Sequence, residues 1–159
     1  MKKYVSASDS LRSGQLDRMM SKIKDHGQVE RESISKMKRI YVAGPYSADN
    51  VLDVLRNIGR GQMVCAKLFI SGYAPFCPWH DKTYVFDNFD RDLSVGLFYD
   101  YSNAWLEVSD AVLVLPDSDL SIGTQGEIRR ARELDIPVFR MNDIYEDPKW
   151  VLRNRPYWT

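Results

Sequence analysis

The chain has 159 residues, 44% of them apolar, which is enough to fill the core of one compact domain with a short appendage. Its 22 Lys and Arg balance 22 Asp and Glu, so it lacks the positive excess of a protein that coats nucleic acid through phosphate contacts. No stretch approaches the roughly 20 apolar residues of a membrane-spanning helix, the opening Met-Lys-Lys-Tyr-Val-Ser leads into no apolar signal run, and the expected setting is cytoplasmic.

Residues 1–39 hold ten Lys or Arg against five acidic residues, whereas 40–159 hold twelve against seventeen. The thin apolar set Leu11, Leu16, Met19, Met20 and Ile23 suits one surface helix followed by a connector, so 1–38 are expected to form a basic, partly helical extension and 39–159 an α/β domain. The charge run fits a nucleic-acid contact or a solvated arm beside an acidic domain, and the second is the commoner meaning. Cys65 and Cys77 are too few for a disulfide framework and read as small buried hydrophobes.

From residue 40, short apolar runs alternate with helical stretches, the pattern of parallel-sheet α/β units. Ile40–Ala43 reads as a first strand, stopped by Gly44-Pro45. A helix fits 50–70, with Leu52, Leu55, Ile58, Gly59, Ala66 and Phe69 on its inner face and Gly72 beyond its end. Tyr73–Phe76 is a second strand, and the stretch to about residue 97 has no clean period. A short helix carries Trp105 and Leu106, Ala111–Leu115 is a fully apolar strand, 123–135 a helix and Pro137–Arg140 another strand.

Open parallel sheets bind ligands beyond the carboxyl ends of their strands, which draws attention to two turns. Gly44-Pro45-Tyr46-Ser47 has neither the glycine pattern of a dinucleotide fold nor the Gly-Lys-Ser/Thr of a P-loop. It reads either as a ligand-facing loop, with a glycine for close approach and a Tyr46 hydroxyl at the strand tip, or as an ordinary strand-to-helix turn. After the apolar strand, Ser121-Ile-Gly123-Thr124-Gln-Gly-Glu127 opens a helix whose backbone N–H groups and hydroxyls suit an anion. Glu127 shares a face with Ala131 and Leu134 that points to the sheet, so it is a candidate nucleophile or base. Asp117 and Asp119, close to that opening, are expected to face solvent or a subunit boundary.

Nine of the nineteen aromatic residues lie between residues 76 and 105: Phe76, Trp79, Tyr84, Phe86, Phe89, Phe98, Tyr99, Tyr101 and Trp105. They suit the wall of a pocket for a flat ring, and equally a core or a subunit interface. Cys77, His80 and Asp81 make a poor metal site, and without a G-x-S-x-G elbow a serine hydrolase is unsupported.

The strand-one turn Tyr41-Val-Ala-Gly-Pro-Tyr46, the helix with Arg56-Asn57-Ile58, Gly72-Tyr-Ala-Pro75, Trp105-Leu106 before Ser109-Asp110-Ala111, and Ser121-x-Gly123-x-x-x-Glu127 together resemble the nucleoside 2-deoxyribosyltransferase family over residues 39–140. The resemblance implies a flavodoxin-like doubly wound parallel sheet of four to five strands. It also implies homodimers or higher homo-oligomers with shared sites, and cleavage of an N-glycosidic bond without metal or cofactor. Glu127 matches the family's nucleophile, Tyr46 and Gly44 its sugar side, and Asp110 an acidic residue at the strand head. The family's aspartate near the leaving base falls on Ser102, so that either Asp100, two residues earlier, serves in its place, or base protonation is done differently, or activity is lost. Pro45, Asn57, Trp79, Gly123 and Thr124 complete the expected substrate contacts. Ser121 favours the branch that cleaves nucleoside 5′-monophosphates. Transfer between free deoxynucleosides is the alternative in the same chemistry, and a non-catalytic nucleotide-sensing module the alternative of another class.

Overall fold

The structure, a computed structural model, describes residues 37–81, 83–86 and 93–155. All of these but Met37 belong to one compact unit, Lys38–Thr159. The expected extension 1–38, except its last two residues, lies outside the described residues, as does Phe89.

In chain order the elements are β1 (Arg39–Ala43), α1 (Val51–Ile70), β2 (Ala74–Phe76), a 3₁₀ turn (Pro78–His80), α2 (Thr83–Phe86), α3 (Val95–Glu107), β3 (Ala111–Val114), α4 (Ile122–Glu133), β4 (Val138–Arg140) and α5 (Pro148–Asn154). The four strands are parallel in the order β2-β1-β3-β4, with Ile40 opposite Ala111 and Val112 opposite Val138. Strand order reverses at β1, the flavodoxin-like arrangement expected from the sequence.

Helix starts are written locally. Asn50, Ser94, Ser121 and Asp147 each cap a helix by accepting a backbone N–H from its first turn. Gly72, at φ +85°, turns the chain out of α1 in a conformation that a side chain disfavours.

Side chains alternate across the sheet. Ile40, Val42, Ala111, Leu113 and Leu115 pack on one side with α1 and α5. Tyr41, Ala43, Val112, Val114 and Val138 pack on the other with α3 and α4. Both faces of β1 and β3 are therefore buried, which explains their unbroken apolar runs.

The inner face of α1 differs from the expected one. Ile58, Gly61, Val64, Cys65 and Leu68 are buried, while Leu52, Leu55 and Phe69 are exposed. Gly61 decides this, because a Cβ there would lie 1.7 Å from the ring of Trp79. The indole fills the space left by a missing side chain, and so pulls that side of the helix inward.

Candidate active site

Glu127 lies in the second turn of α4 and faces the sheet, half-buried. Its Oε1 accepts a hydrogen bond of 2.6 Å from the hydroxyl of Tyr41, a fully buried side chain in the middle of β1. Burial pushes the Glu127 carboxyl up to about 7, and the Tyr41 hydrogen bond opposes that rise. Burial and the neighbouring carboxylate raise the Tyr41 hydroxyl well above its usual range, so it stays a donor. Ser102, buried on the inner face of α3, lies near enough to Tyr41 to lower its hydroxyl against that rise. The Tyr41–Glu127 bond thus joins β1 to α4, with Ser102 of α3 beside it.

Aromatic rings extend this contact outward. Phe76, at the end of β2, lies 5.7 Å from Tyr41 and stacks on Trp105 at 5.0 Å, with Tyr101 5.9 Å away. Tyr101 in turn meets Tyr84 edge-on, their hydroxyls 3.3 Å apart. Trp105 and Tyr84 are about half exposed. Part of the aromatic segment therefore borders the candidate site, whereas Trp79 does not. Its expected role as a substrate contact is corrected: it is 4% exposed, in the core against Gly61.

The turn after β1 also differs from its ligand-facing reading. Gly44 is buried, and a Cβ there would meet Leu115 at 3.0 Å and Trp79 at 3.1 Å, so its glycine serves packing. Tyr46 is 41% exposed, and Asn57 reaches back from α1 to its carbonyl at 3.4 Å. Pro45 and Asn57 line an open cleft of about 590 Å³ on the α1 side of this turn, together with Asp53, Arg56, Arg60 and Asp117. Glu127 does not line this cleft: its carboxyl meets Tyr41, which packs on the α3 and α4 side of the sheet.

At the opening of α4, the Ser121 oxygen accepts from the Thr124 N–H at 3.3 Å and from the Thr124 hydroxyl at 2.9 Å. Thr124 is buried, so it supports Ser121 rather than facing a ligand. Ser121 can still donate its own hydroxyl proton outward. Gly123 is half-buried, with Tyr99 close enough to touch a Cβ at 3.7 Å. The preceding loop is held by Ser118, which donates to the Leu115 carbonyl at 2.6 Å, and by Gln125, which donates to the Ser118 carbonyl at 3.0 Å. As expected, the carboxylates of Asp117 and Asp119 are turned to solvent, where they pair with Arg60 and Arg140.

Two expected catalytic carboxylates are not brought to Glu127. Asp110 sits at the amino end of β3, opposite the ligand-binding edge, with both oxygens on Arg39, and this pairing holds its carboxyl at about 2. Asp100 is exposed on α3 because a spacing of two residues puts it on a different side of the helix from Ser102. Cys65 and Cys77 are free and buried, as expected. Among the described residues, no three His, Cys, Asp or Glu side chains cluster as metal ligands would.

Residues 38–141 match the family model described as a domain of unknown function, DUF7768. The chain belongs to this family. No curated protein matches it. Solved structures similar to this DUF7768 chain include a conserved protein from Enterococcus faecalis V583, at 20% identity and a TM-score of 0.48, with 65% of this chain and 62% of that one covered. Another is a 2-deoxyribosyltransferase from Bacillus psychrosaccharolyticus, at 18% identity and a TM-score of 0.44, with 64% and 70% covered. The DUF7768 chain thus spans less than two thirds of the first of these structures.

The partner of Glu127 that sequence reasoning did not single out in this DUF7768 chain is Tyr41. Its signal was present: a tyrosine within a strand buried on both faces must find a partner for its hydroxyl. No helix among the described residues is long and apolar enough to cross a membrane.

Proposed function

We propose that this chain cleaves the N-glycosidic bond of a nucleoside 5′-monophosphate, with Glu127 as the nucleophile. The observation that carries this reading is the 2.6 Å hydrogen bond from Tyr41 to a Glu127 carboxyl that burial has raised to about 7. A carboxylate so held is fixed in orientation, poorly solvated and ionised in a useful fraction near neutral pH. It attacks C1′ of the sugar as the C1′–N bond breaks, giving a glycosyl ester that water then hydrolyses. The Ser121 hydroxyl and the N–H groups at the opening of α4 take the 5′-phosphate, which the helix dipole favours. The aromatic rings from Phe76 to Trp105 receive the base. The exposed stripe Leu52, Leu55 and Phe69 on α1 supports assembly into a homo-oligomer, which light scattering measures.

The test is incubation of the full chain with a panel of nucleosides and their 5′-monophosphates, following free base by chromatography. The reading expects base release from monophosphates by the wild type and none by Glu127→Gln. Turnover by Glu127→Gln near the wild-type rate removes the nucleophile assignment. Tight retention of nucleotide without turnover by the wild type assigns a binding module instead.

A further inference from the structure

The chain has two cysteines, and the fold brings both into one core cluster. Cys65 is on the inner face of α1, and Cys77 follows β2, just ahead of the 3₁₀ turn that carries Trp79. Gly61 and Cys65 are four residues apart on α1, so they stand one above the other on the same side of the helix. Gly61 receives the indole of Trp79, so close that a Cβ there would lie 1.7 Å from the ring. Two residues before that indole, Cys77 meets Cys65. This contact raises the Cys77 thiol above its ordinary value, and burial adds to the rise. The inner face of α1 thus grips the segment after β2 at two neighbouring points.

Both thiols are free, Cys65 at 8% exposure and Cys77 at 2%. A buried thiol commonly serves as a small hydrophobe, and one that is held neutral is a poor first nucleophile. Cys77 fits that description, whereas Cys65 keeps an edge towards solvent. Two thiols in contact have a chemistry that neither has alone, because oxidation of one creates an electrophile against which the other is already placed. Such placement turns a bimolecular encounter into a unimolecular step, with effective concentrations of roughly 10⁵ M or more in well-oriented cases, and this offsets a small thiolate fraction.

We propose that Cys65 and Cys77 form a reversible disulfide in the presence of a peroxide, a redox-sensitive bolt between α1 and the exit of β2. In the first step the Cys65 sulfur takes one oxygen from hydrogen peroxide, giving a sulfenic acid and one water. In the second step the Cys77 sulfur bonds to the Cys65 sulfur as its S–O bond breaks, and the departing hydroxide takes the Cys77 proton to leave as a second water. The two sulfurs together lose two electrons and the peroxide gains them. A dithiol reductant reverses the bond. The bolt closes next to Phe76, whose ring lies 5.7 Å from Tyr41, so it fixes the end of β2 that borders the candidate site. It forms whether or not Glu127 is a nucleophile.

The full chain is treated with hydrogen peroxide in native buffer, a parallel sample is treated in urea, and remaining thiols are alkylated after denaturation for peptide mass spectrometry. The expected result in the folded chain is simultaneous loss of both alkylation sites and a link between the peptides of Cys65 and Cys77, which dithiothreitol reverses. The link forms about tenfold or more faster than in urea, because the fold holds the two sulfurs together. Closing a loop of about a dozen residues removes entropy from the unfolded chain, so the oxidised protein melts about 5–10 °C higher than the reduced one. Cys65→Ala and Cys77→Ala, each checked for folding by circular dichroism, show neither the link nor the rise. Thiols that stay free in the folded chain, oxidation that runs on to sulfinic acid at Cys65, a link between two chains, or a link that forms only in urea each overturns the bolt. So does a link that leaves the melting temperature unchanged or lowers it, since sulfurs forced together cost the fold what the closed loop adds.

Discussion

Tyr41→Phe tests the site at its most specific contact, since it removes one hydroxyl and keeps the ring. The bond from that hydroxyl to Glu127 is 2.6 Å long and part-buried. A hydrogen bond to a charged group contributes roughly 1.5–3 kcal/mol, and roughly 1.4 kcal/mol corresponds to one pKa unit. Losing it lets burial act unopposed, so the Glu127 carboxyl rises from about 7 by about one to two further units. At pH 7 the ionised fraction then falls from about one half to between about 1 and 10%, and a nucleophile that must be ionised loses about 5- to 50-fold in kcat/KM. Cys77 also feels Glu127, and its contact with Cys65 and burial keep it neutral throughout this range. The assay is a pH profile of kcat/KM for the base-releasing reaction, in wild type and variant. The ascending limb should move to higher pH, and the two enzymes should converge above pH 9. An unmoved midpoint, or an equal loss at every pH, refutes the role assigned to Tyr41.

Other expectations follow from the same structure. Because the folded Glu127 carboxyl is raised above its ordinary 4.5, the folded state holds its proton more tightly. That stability is fully present below about pH 4.5 and is lost as pH rises through 7, a difference on the order of 3 kcal/mol; Glu127→Gln, which cannot ionise, should gain stability over wild type at pH 8 but not at pH 4 in urea titrations. Asp110 runs the opposite way: its pairing with Arg39 holds it at about 2, so its contribution is present above about pH 4 and fades as pH falls towards 2. Asp110→Asn should therefore weaken the fold mainly above pH 4 and leave turnover within about twofold in a steady-state assay. Gly61→Ala forces a Cβ into Trp79 and should destabilise by about 2–3 kcal/mol, whereas Gly59→Ala, with nothing within 4 Å, should stabilise by up to about 1 kcal/mol. Thermal melts of the two variants distinguish them directly. Ser121→Ala should lower kcat/KM for a nucleoside 5′-monophosphate by about tenfold and leave the free nucleoside almost unchanged; an equal effect on both removes the phosphate from the opening of α4.

The parallel sheet was legible in the sequence because β1 and β3 are buried on both faces, and only unbroken apolar runs satisfy that environment. Glu127 was legible because a helix has one inward phase, and Ala131 in the same stripe fixes it. Tyr41 was hidden by the same rule that revealed β1, since in an apolar run each residue reads as filling. The α5 helix, seven residues from Pro148 to Asn154, is too short to show a period. Asp110 and Asp100 were misjudged because distance along a chain says little about which end of a strand, or which side of a helix, a carboxylate occupies.

The inner face of α1 carries the more general point. Its sequence offers two apolar stripes, Leu52-Leu55-Phe69 and Ile58-Val64-Cys65-Leu68, and hydrophobicity alone gives the first at least as good a claim to the core. What selects the second is a glycine that contributes no apolar area at all. Gly61 leaves a gap 18 residues before the tryptophan that fills it, and the indole of Trp79 then supplies a larger buried surface than any leucine of the rejected stripe. That choice also sets the neighbourhood of the site. With Trp79 drawn into the core against Gly44 and Leu115, the turn after β1 is braced from beneath, and the rings left on the other side of the sheet, Phe76, Tyr101 and Trp105, are the ones that reach towards Tyr41 and Glu127.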